Sequence, residues 1–457
     1  MKKGILIFVF AVSAFLPITH LQADPHSHAG RGHNHPLPAQ GVRHKHGAGA
    51  LGQAAGGRAV APQAATRPTN NRGTPARHVP NRSNVQNNNA NKQLQQAYKR
   101  KDYRKVYQIA SGFAKRGDPA AQYVLGQLFL LGQGQRKNPN TAFNWFKKSA
   151  AKGHSGSQYL LGTLYATGTG TRKNLNQAFK YYKLAAKVGI PDALRSLGIM
   201  YEKGEGVKKH MPTAIKYYEQ AANKGITDVQ IMLGERFIKG VGVRKNPAKG
   251  FKYIKMAEKS GVPSASYLLG VLYTNGVGTK KNPTLGFKHI LNAAKRNNVD
   301  AQYDLASMYA QGLGTKKNMG QAITWYKKAA NRGVTLAQHN LGLIYLQGLG
   351  TRKNPKEAFK WFNKSARKGL PISQYFLGDL YVDGIGTGKN HKQAFTWYKK
   401  AANNKLPAAE YSVGAMYANG FGTKANIQQA KKWFQIAAKH GNVNAKNALQ
   451  VLKKKGI

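Results

Sequence analysis

The sequence contains no cysteine. That excludes a disulfide framework, a thiolate nucleophile and any zinc site built on thiolates. It is also poor in acid. Sixteen Asp and Glu stand against 72 Lys and Arg, a formal net charge of +56 at pH 7 over 457 residues. Such a field favours an anionic partner or an anionic environment. Long apolar runs are scarce too. The most pronounced is GILIFVFAVSAFL, which follows Met1-Lys2-Lys3 and is broken by Pro17. It is shorter than the roughly 20 residues of a membrane-spanning helix. With the small residue Ala23 ahead of a cut, residues 1–23 read as a secretory signal peptide. The expectation is export through the Sec pathway to the periplasm or beyond, with no membrane span left after cleavage. A chain without cysteine suits such an oxidising compartment.

Residues 24–91 change character. They are rich in Gly, Pro, Ala, Asn and Arg and nearly free of aromatics. Such a stretch buries too little apolar surface to offset its ordering entropy, so a disordered basic arm is expected. His26, His28, His33, His35, His44 and His46 crowd it. Closely spaced imidazoles are the only candidates for holding Zn²⁺, Cu²⁺ or Ni²⁺, but one carboxylate, Asp24, accompanies them, and no metal site or cofactor is assigned.

The rest of the chain is periodic. Starting at Gly126, steps of 36 residues reach Gly162, Gly198, Gly234, Gly270, Ala306, Gly342, Gly378 and Gly414. The pairs Gly132/Gly134, Gly168/Gly170 and Gly204/Gly206 keep the same step through to Gly420/Gly422. A fixed period over nine copies is the signature of a stacked repeat. Ala121, Leu125 and Phe129 lie on one helical face, and the Gly-x-Gly behind them ends that helix with left-handed residues. Asn138 then caps a second helix and Pro139 sits at its first position. Gly153 stops it. The glycines are therefore connectors. A phosphate loop would need Gly-x-x-x-x-Gly-Lys-Ser/Thr between a strand and a helix, and the nearest approach, DGIGTGKN, has neither the first glycine nor the hydroxyl.

The pattern A-x-x-x-L-G-x-x-Y-x-x-G-x-G, then A-x-x-W/Y-Y/F-x-x-A-A-x-x-G, resembles the Sel1-like repeat, a relative of the tetratricopeptide repeats. AQHNLGLIYLQGLGTRKNPKEAFKWFNKSARKG, from Ala337 to Gly369, is close to a consensus copy. The resemblance implies an all-α fold: a right-handed α/α superhelical solenoid of nine 36-residue repeats over residues 118–441. Residues 92–117 would form an N-terminal pair of capping helices and residues 442–457 a C-terminal one. It also implies a non-enzymatic, monomeric scaffold that binds protein partners. Two departures stand out. The cysteines of the disulfide-stapled branch are missing, and places often acidic in the family carry Asn, Lys or Arg, as at Asn174, Asn354, Arg367 and Lys439.

Two sets of residues are candidates for binding. On the first helix, the position opposite the core face reads Tyr123, Tyr159, Arg195, Ile231, Tyr267, Tyr303, His339, Tyr375 and Tyr411. Tyrosine gives contact area and a hydroxyl at low entropic cost, so this column reads either as a partner-binding ladder or as packing between repeats. The loop after each Gly-x-Gly carries a basic pair: Arg136-Lys137, Arg172-Lys173, Lys208-Lys209, Arg244-Lys245, Lys280-Lys281, Lys316-Lys317 and Arg352-Lys353. These form either a solvated edge or a rim that meets acidic protein surfaces, an anionic envelope polymer or nucleic acid. No spacing suggests a catalytic triad or a metalloprotease helix.

Overall fold

The computed structural model describes residues 92–454. The leader, the arm and its six histidines lie outside the described residues. Within them the chain forms 21 helices and no strand. It divides into two compact units, residues 92–245 and 246–454. The first holds helices at 92–99 and Tyr103–Lys115, then Pro119–Leu131 followed by Pro139–Ala151, Ser155–Thr167 by Leu175–Lys187, and Pro191–Lys203 by Met211–Asn223, and ends in Thr227–Lys239. The second opens on Pro247–Glu258. Five pairs follow: Pro263–Asn275 with Pro283–Lys295, Val299–Gln311 with Met319–Asn331, Thr335–Gln347 with Pro355–Arg367, Pro371–Asp383 with His391–Asn403, and Pro407–Asn419 with Ile427–Lys439. Val443–Lys454 closes the unit. Inside each unit a helix packs chiefly on the one before it and the one after it, the one-dimensional order of a solenoid.

Local chemistry sets the length of each helix. Most have 13 residues, about 20 Å of rise. The first helix of the first pair starts at Asp118, whose carboxylate accepts from the Ala121 N–H, and Pro119 needs no partner there. It ends at Gly132, which is left-handed at φ 70°; the Gly132 and Gln133 N–H groups both donate to the Leu128 carbonyl. Asn138 then accepts from the Thr141 N–H at 3.0 Å to cap the second helix. The same Asn138 donates its own N–H to the Phe129 carbonyl at 2.8 Å, closing the loop onto the first helix. Asn174, Asn318, Asn354 and Asn426 repeat both bonds.

The core lies between the two helices of a pair and between successive pairs. Leu125, Leu128, Ala142 and Phe146 are buried in the first pair, and Leu341, Ile344, Ala358 and Phe362 in a later one. A helical glycine admits the large ring. A Cβ on Gly126 would stand 2.6 Å from Phe146, and one on Gly378 2.5 Å from Tyr398. Packing this close rejects even a methyl group.

The two loop glycines differ in purpose. Both Gly132 and Gly134 have positive φ. A Cβ on Gly134, however, would stand 2.5 Å from the Tyr103 carbonyl oxygen, at the start of the preceding second helix. In the other unit Gly314 sits in the same way on the carbonyl of Pro283, and Gly386 on that of Pro355. Gly369 is also left-handed, at φ 89°, but a Cβ there would meet nothing within 4 Å. Gly369→Ala should therefore cost only the left-handed penalty, about 1–2 kcal/mol. Gly314→Ala should cost at least twice as much, because backbone must move. Denaturant unfolding followed by far-UV circular dichroism measures both, and equal losses would refute the seating of the loop glycine.

Candidate functional site

The basic pairs sit where the loop chemistry leaves them. Between the second glycine and the capping Asn, the chain has turned away from both helices. Arg136, Lys137, Arg172, Lys173, Lys208, Lys209, Arg244 and Lys245 are all exposed in the first unit, and Lys280, Lys281, Lys316, Lys317, Arg352 and Lys353 in the second. The backbone of the second member lies against the loop's first glycine, as Lys137 does against Gly132 and Lys317 against Gly312. Its ammonium is left free. Among the described residues none of these cations forms an ion pair. Arg195 pairs with Asp192 and Asp228, Arg236 with Glu202, and Lys360 with Glu357. Successive loops are held close through backbone, since in seven of the nine the second glycine rests on the carbonyl of the residue that opens the preceding second helix, as Gly170 does on Pro139 and Gly314 on Pro283. Within each unit the pairs therefore follow one edge.

The tyrosine column is placed differently along its length. Tyr123, Tyr159 and Tyr267 are half-buried. Tyr303, Tyr375 and Tyr411 keep only 5%, 7% and 4% of their surface, and His339 3%. Each buried ring leans on the large residue of its own second helix: Tyr303 on Tyr326 at 5.8 Å, His339 on Phe362 at 5.4 Å, Tyr375 on Tyr398 at 5.5 Å and Tyr411 on Phe434 at 5.5 Å. Tyr123 and Tyr159 make the same contact with Phe146 and Tyr182. Where the second helix offers Ile290 in place of an aromatic, Tyr267 instead donates its hydroxyl to Asp304 of the next repeat, 2.9 Å away. Arg195, in the same column, reaches Asp228 at 2.8 Å. Packing thus claims the column from Tyr303 onward, and its open part is Tyr123, Tyr159 and Tyr267.

Three groups of residues escaped the sequence reading. Gln122, Gln302, Gln338 and Gln374 each donate a side-chain N–H to the carbonyl near the end of the preceding second helix, those of Ala114, Ala294, Ala330 and Ala366. Their 36-residue recurrence was the available signal. Lysines cover indole faces one turn away, Lys328 over Trp325 at 3.9 Å and Lys364 over Trp361 at 4.2 Å. The third group is buried acid. Asp304 and Glu410 are 1% exposed, and Glu410 faces the His440 ring nitrogen at 2.9 Å. Asp379 accepts the Tyr398 hydroxyl at 2.6 Å.

Electrostatics follow burial. Burial pushes the Asp379 carboxyl up to about 7, and Asp383 one turn away adds to the shift. Burial holds His339 down to about 4, so it is neutral in the fold, with Nδ1 against the Ser373 hydroxyl at 2.9 Å. A depression of about 540 Å³ in the second unit is lined by Lys295, Lys328 and Arg332 beside Trp325 and Gln302, with no carboxylate among its lining residues. No group of three His, Cys, Asp or Glu that could hold a metal ion occurs among the described residues, and no helix there is long and apolar enough to cross a membrane. What the arrangement can do chemically is bind anions along an edge.

A periodic helix pair, glycine-seated loops and a regular exposed edge define a class, the helical-repeat solenoids. Within it this chain belongs to the Sel1 repeat family, which matches nine consecutive segments: 119–154, 155–189, 191–226, 227–262, 263–298, 299–334, 335–370, 371–406 and 407–442. Solved structures agree. A protective antigen of uropathogenic Escherichia coli strains with an SLR fold is 29% identical, at a TM-score of 0.58, with 77% of this chain and 83% of that one covered. A Sel1 repeat protein from Oxalobacter formigenes is 26% identical, at 0.60, with 72% and 93% covered. No curated protein matches. Proteins of this family are generally non-catalytic and mediate protein–protein interaction.

The Asp379 shift gives a test of the buried acids. An ordinary Asp carboxyl titrates near 3.8, and this one near 7, so folding takes up a proton in that interval. The carboxylate's penalty is complete above pH about 7 and relieved as pH falls toward about 4. Relative to Asp379→Asn, the parent chain should gain stability on acidification across that window. Parallel stability profiles for the two proteins would contradict the assignment.

Proposed function

We propose that the chain is an exported, non-enzymatic scaffold that binds protein partners with acidic surfaces. In each unit the rim cations supply the attraction, and the open tyrosines of that unit, Tyr123 and Tyr159 in the first and Tyr267 in the second, supply contact area. One observation carries the reading: a chain with so few acids leaves a basic pair exposed and unpaired at loop after loop along an edge of each unit. Unpaired exposed charge does little for folding, because surface pairs contribute only about 0–1 kcal/mol even when formed. It does steer and orient an oppositely charged partner. The family's role in protein interaction supports the protein reading. A second reading, binding of an anionic envelope polymer or nucleic acid, is favoured by the depression between Lys295, Lys328 and Arg332, whose lining includes no carboxylate.

Retention of envelope proteins on the immobilised full chain, eluted in a salt gradient and identified by mass spectrometry, separates the two. The scaffold reading expects acidic proteins whose retention survives nuclease and drops about tenfold or more when Lys280, Lys281, Lys316 and Lys317 become Gln. Retention that nuclease abolishes, or a salt slope set by phosphates neutralised, would give the result to the polyanion reading. Retention unchanged by the rim variant would reject both. Export carries its own check: the mature chain should begin at Asp24, and N-terminal sequencing that finds Met1 would remove that part.

A further inference from the structure

The residue between the two loop glycines differs between the units. In the first three repeats it is Gln133, Thr169 and Glu205, and in the fourth Val241. In the five later repeats it is always apolar: Val277, Leu313, Leu349, Ile385 and Phe421. The loop backbone does not demand this. Gly170 rests on the Pro139 carbonyl with Thr169 beside it, as Gly314 rests on Pro283 with Leu313 beside it. The left-handed glycines and the bonds that close the loop are likewise the same in both. Packing accounts for one flank of Leu313, Leu349 and Ile385, which lie against the hydrophobic core of their unit; loop geometry does not account for the apolar choice.

These side chains lie beside the rim cations. Val277, Leu313, Leu349 and Ile385 are half-buried, and Leu313, Leu349 and Ile385 pack against the hydrophobic core of their unit. Phe421 is 51% exposed and stacks on His391, which opens the preceding second helix, at 5.0 Å. In the same loops Lys280, Lys281, Lys316, Lys317, Arg352, Lys353, Lys389 and Lys424 are exposed, and none forms an ion pair among the described residues. Residues 276–281, 312–317, 348–353, 384–389 and 420–424 include no carboxylate. The edge of residues 246–454 therefore alternates apolar and cationic groups.

We infer that this edge docks on a phospholipid bilayer with anionic headgroups. At the boundary between headgroups and acyl chains, a cation meets phosphate while its apolar neighbour leaves water, so both groups are satisfied at once. A phosphate backbone would use the cations and leave the aliphatic groups without a partner. Docking on lipid goes beyond the scaffold reading and does not rest on it: either can fail while the other stands.

Co-sedimentation of the full chain with vesicles tests the inference. Vesicles of phosphatidylcholine containing phosphatidylglycerol should bind at least tenfold more tightly than phosphatidylcholine alone. The double variant Leu313→Thr with Leu349→Thr, which installs the residue already present at Thr169, should weaken vesicle binding about tenfold. It should leave binding to inorganic polyphosphate unchanged, whereas changing Lys280, Lys281, Lys316 and Lys317 to Gln should weaken both. Should the leucine variant unfold, Phe421→Thr alters an exposed ring and should weaken vesicle binding about threefold. Equal binding to both vesicle types would overturn the inference. So would vesicle binding unaffected by the apolar substitutions, or a parallel loss on polyphosphate.

Discussion

The contact on which the rest of the structure depends is a glycine Cα against a carbonyl. In seven of the nine loops, Gly134, Gly170, Gly206, Gly278, Gly314, Gly386 and Gly422, the second glycine lies on the carbonyl of the residue that opens the preceding second helix, at a separation that leaves no room for a Cβ. This sets how closely one repeat follows another within each unit. It also lays neighbouring loops together, so that the residues between loop and second helix fall along one edge. The bond from the capping residue back to the first helix, such as Asn390 N–H to the Tyr381 carbonyl at 2.8 Å, then fixes the path of the basic segment. A side chain at the second glycine would push repeats apart and break the register of the cations together with the packing of the core.

Charge is distributed between inside and outside in a consistent way. Some acids are exposed, as Asp228, Asp300 and Asp383 are, but among the described residues none pairs with a cation of the loop edge. Several are used within the helix stacks, where Tyr218, Tyr267 and Tyr398 donate hydroxyls to Glu202, Asp304 and Asp379. Asp379 and His339 show what burial does to such groups, one carboxyl driven up and one imidazole driven down. The bases of the loop edge stay outside with no counter-charge among the described residues, and on the second helices lysines lie over Trp325, Trp361 and Trp397. A surface of this kind repels its own copies and attracts anionic ones.

Much of the fold was legible in the sequence because a helix pair that repeats with a fixed step displays its constraints many times over. Gly132, Asn138, Pro139 and Gly153 each state a local backbone requirement, and recurrence removes the ambiguity of any single copy. The exposure of the rim was legible for the same reason, since a charged pair between a turn and a helix cap has nowhere to hide. The tyrosine column was not. Helical angles placed Tyr123 and Tyr303 on the same face, but whether that face is open depends on the size of the residue it meets and on the next repeat. Tyr303 meets Tyr326 and is covered, whereas Tyr267 stands over Ile290 and reaches across to Asp304. Partner choice of that kind lies in pairs of positions in different helices, where a one-helix reading has no view.

If the unpaired cations of the loop edge are where this chain meets its ligands, they should be shielded when a partner binds. Lysine acetylation footprinting of the full chain, free and with its captured acidic partner bound, tests it residue by residue. Lys137, Lys173, Lys281, Lys317 and Lys353 should lose reactivity on binding, while Lys148, Lys328, Lys364 and Lys400 on the second helices should react as before. Protection of the second-helix lysines with the loop lysines unchanged would contradict the account.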